Sequence, residues 1–109
     1  MTIMAWIFLG VAGLFEVVWA TAMKYSDGFT KLGPTALTFI AMVISFAFLS
    51  FSLKTLPLGT AYAIWTGIGA AGAFVVGILF LGEALTAGRV ISIILLVSGI
   101  VGLKLSSGA

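Results

Sequence analysis

The sequence predicts an all-α membrane protein: four transmembrane helices in one domain, residues 1–109. Three observations lead there. Hydrophobic residues make up 62% of the chain and charged residues only 7%, against roughly 25% charged in an average soluble domain. So few charges cannot form the polar shell of a water-soluble globule. The third observation is their placement, because they fall between long apolar runs that recur along the chain.

The first helix is expected over residues 3–23, interrupted only by Glu16. A polar loop follows, Lys24 to Lys31, ending near Gly33-Pro34. The second helix, over 33–53, contains no charge. Lys54-Thr55-Leu56-Pro57 makes a tight turn, and the third helix is expected over 58–82. Gly82-Glu83 through Gly88-Arg89 forms the last gap, and the fourth helix spans 87–105. About 20 apolar residues cross the hydrocarbon core. The fourth uncharged run is short, but Arg89 and Lys104 at its ends can snorkel their stems toward the headgroups. Ala20-Thr21-Ala22 looks like a signal-peptidase site, yet no basic segment precedes it and Glu16 interrupts the apolar stretch, so cleavage is not expected.

Composition also excludes chemistries. Without Cys or His, disulfides, thiolate nucleophiles, the commonest general base and the commonest metal ligand are all missing. No cofactor or metal is expected. With a single acid inside the spans, no acid–base pair can be assembled within a protomer, which argues against an enzyme. A net charge of +2 from scattered residues makes no nucleic-acid-binding patch. The motif Gly67-Ile68-Gly69-Ala70-Ala71-Gly72 matches a dinucleotide fingerprint, but it lies inside a membrane span and lacks the required strand and downstream acid.

Four spans put both termini and the second loop on one side, with Lys54 and Lys104, and the other loops opposite, with Lys24, Lys31 and Arg89. Three charges against two give the positive-inside rule almost no vote. A chain without orientation bias can insert both ways, and two opposed copies would make the inverted repeat that larger transporters encode in one chain. Gly69, Ala73 and Gly77, at i, i+4 and i+8, form a small-residue row for close helix packing, within a protomer or between two.

Glu16 is the residue that packing does not explain. Asp27 and Glu83 lie in loops, whereas Glu16 sits about 20 Å along its helix from Ile3 at 1.5 Å per residue. An ionised acid at mid-membrane costs at least ~2.5–3.5 kcal/mol on the most lenient accounting, and such residues are functional by default. No Lys or Arg shares its depth. It either takes a proton or binds an external cation, and exchanging one for the other is the elementary act of an antiporter. On its helix face, Ala12, Gly13 and Ala20 are expected to leave room, and Trp19 offers a cation-attracting ring. Tyr62 and Trp65 share a face of the third helix; an interfacial belt role suits Tyr62 better than the deeper Trp65. Ser45, near the centre of the second helix, has two uses: bonding its own backbone, or donating to Glu16. The residues leave both open.

At these positions the sequence resembles the small multidrug resistance family of proton-coupled transporters, over nearly the whole chain. The resemblance rests on Phe15-Glu16-Val17-Val18-Trp19, on the loop from Lys24 to Pro34, on Leu56-Pro57-Leu58-Gly59-Thr60-Ala61-Tyr62-Ala63-Ile64-Trp65-Thr66-Gly67, and on the ending Gly99-Ile100-Val101-Gly102-Leu103-Lys104. Multidrug exporters of the family have Gly at the position of Trp19. Guanidinium exporters have Trp there, Ser at the position of Ser45, and the same third-helix motif. The chain looks like the guanidinium subtype at all three, with minor departures at Lys31 and Thr35.

The resemblance implies an antiparallel, dual-topology homodimer in the bacterial inner membrane. Two copies of Glu16 would line a shared site with Gly13, Trp19, Ser45, Tyr62 and Trp65. Protons and a small guanidinium-type cation would compete there. Three rival readings are a broader quaternary-ammonium or multidrug antiporter of the same fold, half of a heterodimeric pair, and a proton-conducting membrane subunit.

Overall fold

The computed structural model describes residues 2–107, and among these it contains four helices and no strand. They are α1 (Thr2–Tyr25), α2 (Leu32–Ser52), α3 (Leu58–Phe80) and α4 (Ala87–Ser106). The shortest has 20 residues, about 30 Å at 1.5 Å per residue, which matches the hydrocarbon core of a bilayer. All four are long and apolar enough to cross a membrane. Side by side they run α2–α1–α3–α4, a slab of 42 × 35 × 17 Å. Large apolar side chains such as Ile7, Leu14, Val43, Leu79 and Leu95 face outward, as lipid contact requires.

The centre of the slab is α1. Ala5, Leu9 and Ala12 recur at i, i+4 and i+7 and are almost fully buried. Two of the three are alanine, so the neighbouring backbones approach closely. Against this stripe α2 sets hydroxyls at heptad spacing. The Ser45 hydroxyl donates to the Ala12 carbonyl at 2.6 Å, and the Ser52 hydroxyl donates to the Ala5 carbonyl at 2.9 Å. A step of seven residues on α2 thus matches a step of seven, in the opposite sense, on α1. Hydrophobicity cannot set register between helices whose solvent is equally apolar; hydrogen bonds of this kind can.

The turns have local causes. After α1, Asp27, Gly28 and Phe29 all take positive φ, at 51°, 70° and 66°, a region that bulky residues avoid. Ser26, fully buried, compensates by donating to the Met23 carbonyl at 2.6 Å and accepting from the Phe29 amide at 3.0 Å. The Phe29 ring stacks on Phe39 of α2, centroids 5.7 Å apart. At the far end of α3, Gly82 takes φ +69°, and the Leu81 and Glu83 amides both return to the Gly77 carbonyl. The next helix starts at Thr86, whose hydroxyl accepts from the Arg89 amide and so caps α4. Arg89 also closes an ion pair with Glu83 at 3.0 Å.

By contrast, α4 has no buried residue, and its backbone neighbours α3 alone. It approaches α3 closely at Gly67, where a Cβ would overlap the Ile100 side chain.

Candidate functional site

Glu16 projects from the third turn before the end of α1's membrane run, one turn past the buried Ala12. It faces α3 at Gly69, where an added Cβ would collide with the Glu16 carboxyl carbon and Oε1. The carboxyl group therefore occupies the space that a side chain at position 69 would take. Among the described residues no cation pairs with it, since the only ion pair is the one between Arg89 and Glu83. Glu16 Oε1 is covered from solvent and has no hydrogen-bond partner, and the same holds for the Trp19 Nε1–H one turn further on. A buried acceptor and a buried donor left open on one helix face are each worth about 1–3 kcal/mol. Trp6 Nε1 on α1 and Thr35 Oγ1 on α2 are also unpartnered, but Glu16 and Trp19 lie one turn apart on a single helix face.

Beside this lies an aromatic cluster on α2 and α3. The Trp65 Nε1–H donates to the Ser45 hydroxyl at 3.0 Å, and that hydroxyl in turn donates a hydrogen bond to the Ala12 carbonyl. One hydroxyl thus joins three helices, one turn before Glu16. The ring of Trp65, itself buried, meets Tyr62 at 5.5 Å and the edge of Phe46 at 5.8 Å between centroids. Tyr62 is 54% exposed, so its phenol stands at the open edge of the cluster.

The structure brings Ser45, Tyr62 and Trp65 into one connected group and sets Glu16 against α3 one turn away. Ser45 takes neither of the uses that the sequence left open: it bonds neither its own helix nor Glu16, but the backbone of α1. Nor does Gly13 leave room beside the carboxyl group. A Cβ there would overlap Ile68, so the space at Gly13 is filled by α3. The residue that sequence reasoning missed is Gly69. Its signal was available, since Tyr62, Trp65 and Gly69 fall at i, i+3 and i+7 on one face. The small-residue row it was assigned to divides its labour: Gly69 receives Glu16 and Gly77 receives the Glu83 carboxylate.

The three-helix junction has a measurable consequence for stability. Ser45→Ala strands the Trp65 donor and removes the donor to Ala12, both buried. An unfolding titration in mixed detergent micelles should show a loss of about 1–3 kcal/mol, the usual penalty for an unpaired buried group.

Four membrane-spanning helices, with an acid inside one span that has no ion-pair partner among the described residues, define a polytopic membrane protein. The chain belongs to the small multidrug resistance family: the family profile described as "Small Multidrug Resistance protein" matches residues 4–96. It is similar to proteins named "Guanidinium exporter". That of Salmonella typhimurium strain LT2 is 60% identical over 104 residues, covering 95% of this chain and 99% of the relative. Over the same coverage, the Citrobacter freundii protein is 57% identical and that of Escherichia coli K12 54%. These relatives are transporters, and the chain is a multi-pass protein of the inner membrane.

Proposed function

We propose that this protein is a proton-coupled antiporter, not an enzyme, exporting guanidinium and small guanidinyl cations, with substrate and protons competing for Glu16. The observation that carries the reading is the Glu16 carboxyl group: inside a membrane span, seated over Gly69, with an open acceptor atom and, among the described residues, no cation paired to it. Guanidinium is planar with N–H donors around its rim, and a carboxylate accepts two of them side by side. Trp19, one helical turn away, adds a π surface. The relatives named as guanidinium exporters match 95% of the chain, which supports the same cargo here.

The working unit is an antiparallel homodimer in which each protomer contributes Glu16, Trp19, Ser45, Tyr62 and Trp65. Support comes from the slab itself. At 17 Å thick it encloses no chamber, and no residue of α4 is fully buried within its own protomer. Near-balanced loop charges favour insertion both ways up. Exchange follows from exclusion. A carboxylate holding the cation cannot hold the proton, so loading one releases the other, and alternating exposure lets the inward proton gradient drive export.

Solid-supported membrane electrophysiology on reconstituted protein tests this. Guanidinium and its small alkyl derivatives should each evoke proton-coupled currents, and a bulky quaternary ammonium ion should evoke little. Equal currents from both cations would favour a broad multidrug antiporter, and proton currents indifferent to any cation would favour a proton-conducting subunit. The selectivity of the wall is testable separately. Trp19→Gly should lower guanidinium uptake into proteoliposomes by on the order of ten-fold, since a desolvated cation–π contact contributes ~2 kcal/mol. Small quaternary ammonium ions, which lack N–H donors and need more room, should gain relative to guanidinium. Unchanged uptake would remove Trp19 from the site.

A further inference from the structure

A furrow runs along the slab on a helical face that the transport site does not use. On α1 the site takes Ala12, Glu16 and Trp19, whereas the furrow takes Trp6, Gly10, Leu14 and Val17 at i, i+4, i+8 and i+11. The walls are α1 and α4, and α3 is the floor. One stretch of about 270 Å³ lies between Trp6, Gly10, Val101 and Lys104. A second, of about 350 Å³, continues past Leu14, Val17 and Val97. Ile68 and Ile100 line both, so the two stretches adjoin end to end.

Its length, lining and charge point to one occupant. From Trp6 to Val17 is about 16 Å of helix, which is one leaflet's share of a ~30 Å hydrocarbon core. The lining is apolar except at one end, where Lys104 Nζ stands 4.9 Å from the centroid of the Trp6 ring. A lysine and a tryptophan together at a helix end are the side chains that settle at headgroup level. Among the described residues Lys104 meets no carboxylate. The acids of this chain's own loops, Asp27 and Glu83, lie at the opposite end of the slab, and among the described residues the other cationic side chain at this end is Lys54.

We propose that the furrow is a binding site for an anionic glycerophospholipid, one acyl chain lying along α3 between α1 and α4, with its phosphate held at Lys104. The site would couple each protomer to one leaflet, on the slab face opposite the cation site.

Native mass spectrometry of the full chain, released from micelles containing equal amounts of phosphatidylglycerol and phosphatidylcholine with matched chains, tests this directly. The wild type should retain phosphatidylglycerol in preference. Lys104→Gln should cut that preference about five-fold, the contribution of one lysine near an anionic surface. Lys54→Gln, the same charge change at the same end, should leave most of it. A Cβ at Gly10 meets nothing within 4 Å, so Gly10→Leu should fill the furrow without a clash and abolish retention of both lipids. Equal retention by the wild type overturns the proposal, as does an unchanged preference in Lys104→Gln or an equal loss in Lys54→Gln. If Gly10→Leu alters the oligomeric state and spares lipid retention, the furrow belongs to a second copy of the chain and the proposal fails. The readout is lipid retention, so this result stands apart from whether the protein transports guanidinium.

Discussion

Glu16→Gln should reduce guanidinium-driven proton release from proteoliposomes to the level of empty vesicles. The substitution keeps size and shape, so the side chain still fits the space over Gly69, and the amide gains no clash. Two functions disappear together. The amide cannot take up and release a proton near neutral pH, and it cannot balance the charge of a bound cation. Hydrogen bonds to a charged group contribute about 1.5–3 kcal/mol each. Losing a side-by-side pair therefore lowers affinity by on the order of a hundred-fold or more at 1.4 kcal/mol per factor of ten. The helix packing does not need the charge: Ser45, Ser52 and Trp65 make their bonds to other groups. The variant should purify and unfold like the wild type while exchanging nothing. Coupled flux that survives it would end the antiport reading.

The four spans were legible because membrane crossing is written in the simplest signal a sequence has, about 20 apolar residues between charges. Glu16 was legible for the converse reason: a single acid inside such a run stands out with no knowledge of its neighbours. What was not legible is anything that depends on which atom of another helix lies opposite. The partner of Ser45 is a backbone carbonyl on α1, and no periodicity encodes a carbonyl. Gly13 reads as empty space until α3 places Ile68 in it. Gly69 reads as one of three equivalent small residues until tertiary contact separates them, one against a membrane-embedded acid and another against a loop acid. Helix α4 shows the same limit from the other side. Its sequence is as apolar as the rest, yet within a protomer it buries no residue.

That separation makes Gly69→Ala the most discriminating substitution at the site after Glu16 itself. One added methyl group would occupy the position of the Glu16 carboxyl carbon and Oε1. These atoms end a flexible side chain, so the carboxyl group can rotate away and the helices need not separate. Replacing Gly by Ala inside a helix also gains about 0.8–1.0 kcal/mol of intrinsic propensity, which offsets much of the ~1–3 kcal/mol that overpacking typically costs. Stability should therefore change little, whereas guanidinium affinity should fall by on the order of a hundred-fold, because a guanidinium held side-on tolerates little displacement of its acceptor.

Gly67→Ala is the control. Two positions earlier on α3, its methyl group would strike Ile100 of α4 instead. The same propensity gain offsets much of a comparable overpacking cost, so stability should again change little, and the affinity of the folded protein should stay intact. A double-mutant cycle closes the argument. Where Glu16→Ala has already emptied the space, Gly69→Ala has nothing to displace, so its overpacking penalty should vanish and only the propensity gain remain. Additive effects of the two substitutions on stability would mean that the acid does not lie against Gly69 in the membrane. Guanidinium affinity unaltered in Gly69→Ala alone would mean that the cation is held elsewhere.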